Sequence, residues 1–329
     1  SLKEILLTYL VSPTCQGKLS STISKLEANE ITEGELRCEK CARVFPILSG
    51  IPRFANLDDV ESDKQATAAG FGWQWTHFTH EDERYAEQFL GWIGPVKPEF
   101  FQDKIVLEGG CGKGRHTLLA ASWGAREVIG IDLSRAVETA FAVTRNFPNV
   151  HIVQADIYNL PFPKIFDYAF SVGVLHHLPD PKGGFNSLSS KVKPGGHLSA
   201  WIYGAENNEW ITRFVNPVRE RLTSKMDQRM LLQLSKLPPA SVFLATKLVY
   251  GPLNKSKAGG SIARHLFYND YFKAIAPFGW REQHTIVFDH LVAPTAFYIP
   301  REEFETWWRD LGAKNVTISW HNKNSWRGF

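Results

Sequence analysis

KIVLEGGCGKGRH, residues 104–116, is the stretch that indicates how this chain folds. Its first half is a short, β-branched apolar run, which is typical of a strand buried on both faces. A glycine-dense turn follows, and a helical pattern begins at about Lys113. Gly110, Gly112 and Gly114 alternate, so the backbone can turn tightly and bring free N–H groups of a helix N-terminus close to a ligand. The stretch predicts a strand, a ligand-binding loop and a helix.

The details of this loop favour one kind of ligand. The spacing is G-x-G-x-G instead of the G-x-G-x-x-G of dinucleotide sites, and Glu108 puts a carboxylate where a pyrophosphate would be repelled. A ligand that carries an ammonium group fits better. A tight turn between strand and helix, with no ligand, is the alternative interpretation.

The residues that follow repeat the pattern of a strand and then a helix. Residues 127–131 form a second apolar run that ends in Asp132, where open α/β sheets place an acidic side chain against ribose hydroxyls. Residues 150–156 and 166–171 are further strands. Helices are predicted over 115–123, 134–147 and 182–192, and such crossovers imply a parallel sheet.

With these motifs in hand, the chain resembles the class I S-adenosylmethionine (SAM) dependent methyltransferases, especially the group with the ubiquinone- and menaquinone-biosynthesis enzymes. VLEGGCGKG, GIDLS, ADIYNLPFP, FDYAFSVGVLHHLPDP and VKPGGHL match that family's motifs in order and spacing. The resemblance is strong over about residues 70–205 and looser over 300–329. It implies an α/β fold with a Rossmann-like, doubly wound, mostly parallel seven-stranded sheet, with SAM as cofactor and methyl transfer as activity.

The resemblance also implies roles for individual residues. Glu108 and the three loop glycines would hold the methionine end of SAM, Asp132 the ribose and Asp156 the adenine, although Asp156 could instead be a helix N-cap. Val172 and Gly173 would line the sulfonium end. The whole expected cofactor-binding set is Glu108, Gly110, Cys111, Gly112, Gly114, Asp132, Leu133, Asp156, Ile157, Val172 and Gly173.

Candidate catalytic residues follow the fourth strand of the predicted sheet. His176 and His177 lie where ligands meet the carboxyl ends of the strands, and a histidine can take a proton from a hydroxyl as general base. The family carries LHH or LHW here whatever its substrate, so a structural or cofactor-shaping role is the alternative. Tyr203, Asp289 and His290 are further candidates.

Residues 1–56 form a predicted separate module. SPTC at 12–15 and CEKC at 38–41 resemble the zinc ribbon of small tRNA-methyltransferase activator proteins, which is also fused ahead of some methyltransferase domains. Ser12 stands where the first of four zinc-binding cysteines should be, and a hydroxyl is a poor zinc ligand. The expected metal ligands are therefore Cys15, Cys38 and Cys41, and the site either recruits another donor or has lost its zinc. We expect a structural module without catalysis.

Two further segments flank the sheet-forming residues. Residues 57–100 are predicted to be a linker and a lid segment, in which Trp73 and Trp75 would share a face on a strand or cap a pocket on an irregular segment. Core packing of at least one of the two is the alternative to the lid role. Residues 101–203 and 300–329 form the expected core. Residues 204–299 are expected to form a cap of amphipathic helices inserted between its two parts.

The cap has the one marked charge asymmetry of the chain. Residues 204–264 hold ten Lys and Arg against four Asp and Glu. Solvated outer faces explain such a surplus, and recognition of an anionic or carrier-linked acceptor, or of a membrane surface, is the alternative. If Arg219 and Arg221 face inward, they would contact such an acceptor.

Composition limits the function. The formal net charge of the 329 residues is +3, too small to imply nucleic-acid binding, so we expect none. No run of eighteen apolar residues and no signal-peptide pattern occurs, which favours a cytoplasmic location. The predicted function is SAM-dependent methylation of a small-molecule acceptor in biosynthesis, at an oxygen of a metabolite. The alternatives are a tRNA or protein methyltransferase, and a SAM-fold binding module without methyl transfer.

Overall fold

A small antiparallel sheet forms the N-terminal part of the chain. The computed structural model of the protein describes residues 3–27, 30–55, 62–77, 84–293 and 295–329. The first elements are α1 (Glu4–Leu7), β1 (Leu19–Glu27), β2 (Glu30–Cys38), β3 (Val44–Leu48) and β4 (Ile51–Pro52), and the strands pair in the order β1-β2-β3-β4. Ile31 and Leu36 of β2 are buried, as are Phe45 and Ile47 of β3. These side chains form the apolar side of the sheet.

A seven-stranded sheet forms the main domain. After α2 (Ser62–His77) and α3 (Tyr85–Ile93) come β5 (Ile105–Gly109), α4 (Arg115–Ser122), β6 (Glu127–Asp132), α5 (Ala136–Thr144), β7 (Val150–Gln154), β8 (Phe166–Val172), α6 (Pro181–Ser189) and β9 (Val192–Tyr203). The pairs among β5 to β9 are all parallel. Every residue of β5 is buried, as expected of a central strand covered by helices on both faces.

The last two strands complete the sheet. They follow the cap, after α14 (Arg301–Asp310), as β10 (Ile318–His321) and β11 (Ser325–Gly328). The full order is β10-β11-β9-β8-β5-β6-β7, and β11 runs antiparallel to both of its neighbours. The predicted Rossmann-like, mostly parallel seven-stranded fold is confirmed. The C-terminal NSWRGF segment supplies β11, which pairs with β9 inside the sheet.

The strand order creates one crevice at the carboxyl edge. The chain moves outward from β5 through β6 to β7, then returns to β8 on the other side of β5. In doubly wound sheets this change of direction opens a gap between the loops after the two central strands, and ligands bind there. The loops that begin at Gly110 and Gly173 therefore border the expected site.

The N-terminal module covers the edge of this sheet at β7. Arg53 forms a parallel bridge with Gln154, and the backbone N–H of Phe54 donates to the Gln154 carbonyl at 2.8 Å. The Arg53 guanidinium donates to Gln154 Oε1 at 3.0 Å, and Gln154 Nε2 donates to the Leu133 carbonyl at 2.9 Å. This chain of hydrogen bonds ties the module to the loop that follows β6.

The cap is helical, as predicted. It contains α7 (Asn216–Arg221), α8 (Gln228–Leu234), α9 (Leu237–Ala245), α10 (Gly251–Leu253), α11 (Lys257–Ala263), α12 (Asn269–Ile275) and α13 (Trp280–Val292). Helices α7, α8 and α9 pack against α13, which also contacts α2. Phe288 and Val292 of α13 form an apolar cluster with Leu231 of α8. Helix α13 is thus the central element of the cap. Within the described residues, no helix combines the length and the apolar character needed to cross a bilayer.

Residues 70–75 belong to a helix, although the sequence suggested a strand or an irregular segment. Gly72 lies in α2, where a Cβ would come within 3.1 Å of Ser134, so the glycine allows close packing against the start of α5. Trp73 packs on Phe288, with ring centroids 5.8 Å apart. Trp73 thus packs against the cap, which agrees with the core-packing alternative, and its lid role stays a prediction. Residues 57–61 and 78–83 of the predicted linker and lid segment, and the side chain of Trp75, lie outside the described residues.

Candidate cofactor and acceptor site

The glycine loop between β5 and α4 has the conformation that its sequence predicts. Gly110, Gly112 and Gly114 have φ of 81°, 50° and 82°, in the left-handed region that favours glycine. The N–H groups of Gly110 and Cys111 both donate to the Ile131 carbonyl at 2.8 Å. The loop is therefore held against the end of the neighbouring strand β6.

Gly110 is the loop position with the least room for a side chain. A Cβ there would lie 2.3 Å from Cγ2 of Val174, a short branched side chain that cannot move aside. We expect Gly110→Ala to lower the free energy of unfolding by about 2–4 kcal/mol, through the clash and the positive φ together. Equilibrium unfolding in urea measures this loss of stability.

Gly195→Ala is the matched control for this variant. Gly195 has φ of 78°, and a Cβ there would meet nothing within 4 Å. It should cost only about 1 kcal/mol, from backbone strain alone. Equal losses for the two variants would show that the contact with Val174 does not matter.

Glu108 anchors helix α4. Its side chain is 1% exposed, Oε1 lies 3.1 Å from His116 Nδ1, and the Thr117 hydroxyl donates to Oε2. Burial lowers the pKa of His116, although its hydrogen bond with Glu108 opposes the shift. Glu108 and Gly114 lie behind the cavity wall described below, so their predicted contact with the cofactor remains a prediction.

Asp132 links the glycine loop to the start of α5. Oδ2 accepts the Gly112 N–H at 2.9 Å, and Oδ1 accepts the N–H and the hydroxyl of Ser134 at 2.8 and 2.7 Å. Burial raises the pKa of Asp132, and these hydrogen bonds oppose the shift. A carboxylate held in this way can still accept ribose hydroxyls with its remaining lone pairs.

A cavity of about 550 Å³ opens at the carboxyl edge of the sheet. Of the eleven predicted cofactor-binding residues together with His176, His177 and Tyr203, fourteen in all, eleven line it, and the three that do not are Glu108, Gly114 and His176. The lining residues of that set are Gly110, Cys111, Gly112, Asp132, Leu133, Asp156, Ile157, Val172, Gly173, His177 and Tyr203. The strand ends, the glycine loop and the cap therefore enclose one site.

Helix α13 supplies a whole side of the cavity. Its lining residues are Glu282, Thr285, Ile286, Asp289 and His290. Their spacing of three, four, seven and eight residues is that of one helical face. Glu282, Thr285 and Ile286 were absent from the predicted site, although this periodicity could have identified them once a helix was assigned there.

Two contacts fix α13 above the glycine loop. The Tyr85 hydroxyl donates to Glu282, and the Arg115 guanidinium lies 3.8 Å from the same carboxylate. Arg115 also stacks on the Tyr85 ring at 4.1 Å. The cap and the first turn of α4 thus share one buried ionic cluster.

The turn between β10 and β11 closes another side of the cavity. His321, Asn322 and Asn324 line it. Asn322 and Lys323 have φ of 49° and 51°. Both values lie in the left-handed region, which asparagine tolerates better than most residues. The sequence contained a signal, the NKN turn between two aromatic runs, but nothing in it indicated that this turn would approach the glycine loop.

Imidazole and phenol rings surround Tyr203 at the acceptor side. The Tyr203 ring lies 3.9 Å from His176 and 5.4 Å from His290, measured between centroids. His177 Nδ1 is 2.8 Å from the Thr295 carbonyl, so this nitrogen carries the proton and donates. Burial lowers the pKa of His177 to about 4 and that of His176 well below its usual value. These histidines are uncharged at neutral pH.

Asp289 is the carboxylate of this compartment with the most strongly shifted pKa. It lines the cavity beside His290, and Gln74 of α2 donates to its Oδ1. Burial raises the pKa of Asp289 to about 7, against the lowering effect of that hydrogen bond. Burial also raises the pKa of Tyr203 well above its usual value, and the charge of Asp289 adds to the shift. Of these two groups, Asp289 alone can accept a proton near neutrality.

The two arginines predicted to face the acceptor differ in position. Arg219 is 1% exposed, and its Nε and Nη2 have no hydrogen-bond partner within the described structure. Its charge lowers the pKa of His177 and His290, in addition to burial. Arg219 lies behind the cavity lining and Arg221 is exposed, so neither meets the condition of facing into the cavity on which a contact with the acceptor was expected.

Three thiols gather in the N-terminal module. The sulfur atoms of Cys15, Cys38 and Cys41 all lie within 4.8 Å of one another, and Cys15 and Cys38 are 3.5 Å apart. Tetrahedral zinc with Zn–S near 2.3 Å sets sulfur atoms about 3.8 Å apart, so the cluster fits the metal. The buried Ser12 Oγ lies 3.6 Å from Cys41 Sγ, next to this cluster.

Zinc binding is testable on these residues. We expect about one zinc ion per chain, held by three thiolates and one oxygen donor, and expect Cys38→Ala to lose it. Burial alone would raise the pKa of Cys38. Hydrogen bonds from the backbone N–H groups of Cys41 and Lys40 outweigh that effect and lower the pKa to about 6, which favours the thiolate that binds a metal. Ser12→Cys should complete a four-thiolate set and slow zinc loss to a chelator. Cys111→Ala is the control, and equal zinc content in both alanine variants would exclude the site.

Comparisons with known proteins identify two domains. Residues 107–200 match the family described as methyltransferase domain, and residues 3–50 match the family described as Trm112p-like protein. A tRNA U34 carboxymethyltransferase of Pseudoalteromonas atlantica is 33% identical over 111 residues, which cover 33% of this chain and 34% of the relative. The enzyme of the same name from Pseudoalteromonas translucida is 35% identical over 127 residues, 37% of this chain and 38% of the relative.

These relatives share only part of their length with the chain, which spans little more than a third of each. Among solved structures, a SAM-dependent methyltransferase from Mesorhizobium loti is 25% identical, with 39% of this chain and 55% of that chain covered and a TM-score of 0.32.

Two predictions from the sequence are wrong. A small-molecule acceptor and the absence of a nucleic-acid partner were expected, but the curated relatives named above carry tRNA in their names, and a Trm112p-like domain is present. The weak net charge misled the prediction, because charge summed over a whole chain does not report on a local binding site. The chain combines a class I SAM-dependent methyltransferase domain with an N-terminal Trm112p-like domain.

Proposed function

We propose that this chain transfers the methyl group of SAM to a base of tRNA. The observation that carries the proposal is a single cavity in which strand-end carboxylates for a nucleoside-bearing cofactor adjoin a compartment of aromatic side chains. The names of the curated relatives and the Trm112p-like domain support tRNA as the acceptor. A cytoplasmic location belongs to the same proposal.

The residues around the glycine loop suit SAM. Asp132 ends β6 and Asp156 follows the neighbouring strand β7, and the loop has the positive φ values that close approach to a ligand requires. Asp132 would accept ribose hydroxyls and Asp156 the exocyclic amine of adenine. When bound, SAM supplies an electrophilic methyl group. The chain's own contribution is to orient the acceptor and to exclude water.

The compartment beside Val172 suits a flat acceptor. Phe71, Trp92, Trp201, Tyr203 and Tyr271 line it, and together they offer apolar ring faces. Enzymes that modify a base in a folded nucleic acid take the base out of its stack and hold it between such rings. The amides of Asn322 and Asn324, on another wall, could read the polar edge of that base.

Asp289 is the proposed general base. An acceptor N–H or O–H must lose its proton as the methyl group is transferred, and a carboxylate with a pKa of about 7 is matched to that task at neutral pH. Gln74 fixes the orientation of this carboxylate by donating to Oδ1. Tyr203, whose pKa is raised by burial, stays protonated and can donate a hydrogen bond to the acceptor.

The experiment that tests the proposal measures S-adenosylhomocysteine (SAH) formation with unmodified tRNA transcripts. We expect SAH to accumulate with RNA present and to fall to background when the RNA is first digested with ribonuclease. A variant that cannot bind SAM gives the same background. SAH formation that is independent of RNA would contradict tRNA as the acceptor, and none under any condition would indicate a binding module.

A further inference from the structure

The outward-facing surface of the cap is unusually apolar. Of 18 large apolar side chains exposed in the described structure, ten lie between residues 211 and 267, which are about a sixth of the chain. Leu248 is 71% exposed and Phe214 is 64% exposed. A monomer seldom exposes so many large apolar groups in one region unless that region contacts something. We call the exposed side chains of residues 211–267 the cap's outer face.

The apolar residues of the outer face follow helical spacing. Phe214, Val218 and Leu222 are four residues apart, as are the pair Met230 and Leu234 and the pair Leu244 and Leu248. Residues four apart lie on the same side of a helix. Helices α7, α8 and α9 pack on α13, whose own inner side lines the cavity. The outer face is therefore a second surface, distinct from the active-site mouth.

The same face is strongly basic. Exposed cations outnumber exposed carboxylates there by eight to two, the cations being Arg213, Arg221, Lys225, Arg229, Lys236, Lys255, Lys257 and Arg264 and the carboxylates Glu220 and Asp227. Several cations directly adjoin an exposed apolar residue in sequence, as Arg221 adjoins Leu222. The Arg213 guanidinium lies 5.5 Å from the centre of the Phe214 ring.

The combination of exposed apolar side chains and exposed cations favours one class of partner over the others. A phosphate backbone attracts the cations, but it gains little from exposed leucine and valine, because RNA-binding surfaces use aromatic stacking and polar groups. A second copy of the chain would satisfy the apolar residues but would bring eight like charges together. An anionic bilayer satisfies both, because headgroups pair with the cations while aliphatic side chains enter the acyl boundary.

We propose that the cap's outer face docks on the surface of an anionic lipid bilayer. The proposal does not depend on the identity of the acceptor. Helices with interleaved cations and apolar groups lie in the plane of the interface, so docking needs no membrane-spanning segment. The cavity and its mouth stay on the inner side of α13, so docking leaves them accessible.

The test is co-sedimentation of the full chain with lipid vesicles. We expect binding to vesicles that contain phosphatidylglycerol, weaker binding as salt rises, and little binding to phosphatidylcholine alone. The double variant Leu244→Ser/Leu248→Ser should bind at least about tenfold more weakly, because it removes apolar area from the interface. Arg221→Ala and Lys225→Ala should each cost about fivefold.

Leu26→Ser is the matched control. Leu26 is 57% exposed on the N-terminal module and Leu244 is 56% exposed on the cap, so the control removes a similar side chain elsewhere. It should bind vesicles as the wild type does. The circular dichroism spectrum and SAH affinity of each variant should match the wild type, which would exclude misfolding.

Three outcomes would overturn the proposal. The first is equal vesicle binding by the wild type and the double leucine variant. The second is conversion of a dimer to a monomer by that variant with vesicle binding unchanged, which would assign the face to self-association. The third is loss of tRNA binding by the arginine and lysine variants with vesicle binding unchanged, which would assign it to RNA.

Discussion

Replacement of Asp289 by Asn is expected to lower kcat by about 10²–10³-fold, the usual contribution of a general base. Asn keeps the shape of the side chain and can still accept the hydrogen bond from Gln74, so the cap should stay folded. What it loses is the ability to take a proton. Single-turnover transfer with saturating SAM measures the effect, and the affinity for SAH should not change.

The pH profile distinguishes this role from a structural one. Burial raises the pKa of Asp289 to about 7, so the carboxylate is protonated and inactive below that pH. In the wild type, kcat/KM should rise as pH increases through about 7, and the remaining activity of Asp289→Asn should lack this step. Asp310→Asn, whose carboxylate pairs with Lys182 on the surface outside the cavity lining, should behave as the wild type. An unchanged profile in Asp289→Asn would assign the base to another residue.

Replacement of Asp132 by Ala is expected to weaken SAM and SAH binding by about 1.5–3 kcal/mol, or roughly 10- to 150-fold. The variant removes the acceptor for ribose hydroxyls. It also leaves the N–H of Gly112 and the hydroxyl of Ser134 without their carboxylate partner, so the glycine loop loses its anchor. Isothermal titration calorimetry with SAH measures the loss.

Asp310→Ala is the control for that measurement. Asp310 pairs with Lys182 on the surface, far from the cavity lining, and its removal should leave SAH affinity unchanged. Affinity that is the same in Asp132→Ala and the wild type would exclude Asp132 from the cofactor site.

The core of the fold could be predicted from local sequence, because each cofactor-binding motif includes a strand and the loop at its carboxyl end. A buried strand, alternating glycines and Asp132 are encoded within a few residues, and the parallel topology brings successive strand ends to one edge. The positive φ of Gly110 and the hydrogen bond from Gly112 to Asp132 agree with that prediction. For the sheet and the glycine loop, the local sequence was therefore sufficient to predict the structure.

The acceptor side could not be predicted in the same way, because its residues are distant in sequence. Asp289 meets Gln74 across 215 positions, and Asn322 reaches the cavity only because β11 inserts between β9 and β10. Helix α2 was also missed as a helix, since its glycines and tryptophans suggest no regular element. In the fold, α2 packs against both α5 and α13, and such tertiary contacts, which the local sequence does not reveal, stabilise the helix.

The measurement that tests the central claim most directly is nucleoside analysis of tRNA after reaction with methyl-labelled SAM. The tRNA is digested completely and its nucleosides are separated and identified by mass spectrometry. We predict a labelled methyl group on one kind of base, formed by the wild type and formed about 10²–10³-fold more slowly by Asp289→Asn in a single turnover. Label that appears on no nucleoside, while SAH still accumulates, would contradict the assignment of a tRNA base as the acceptor.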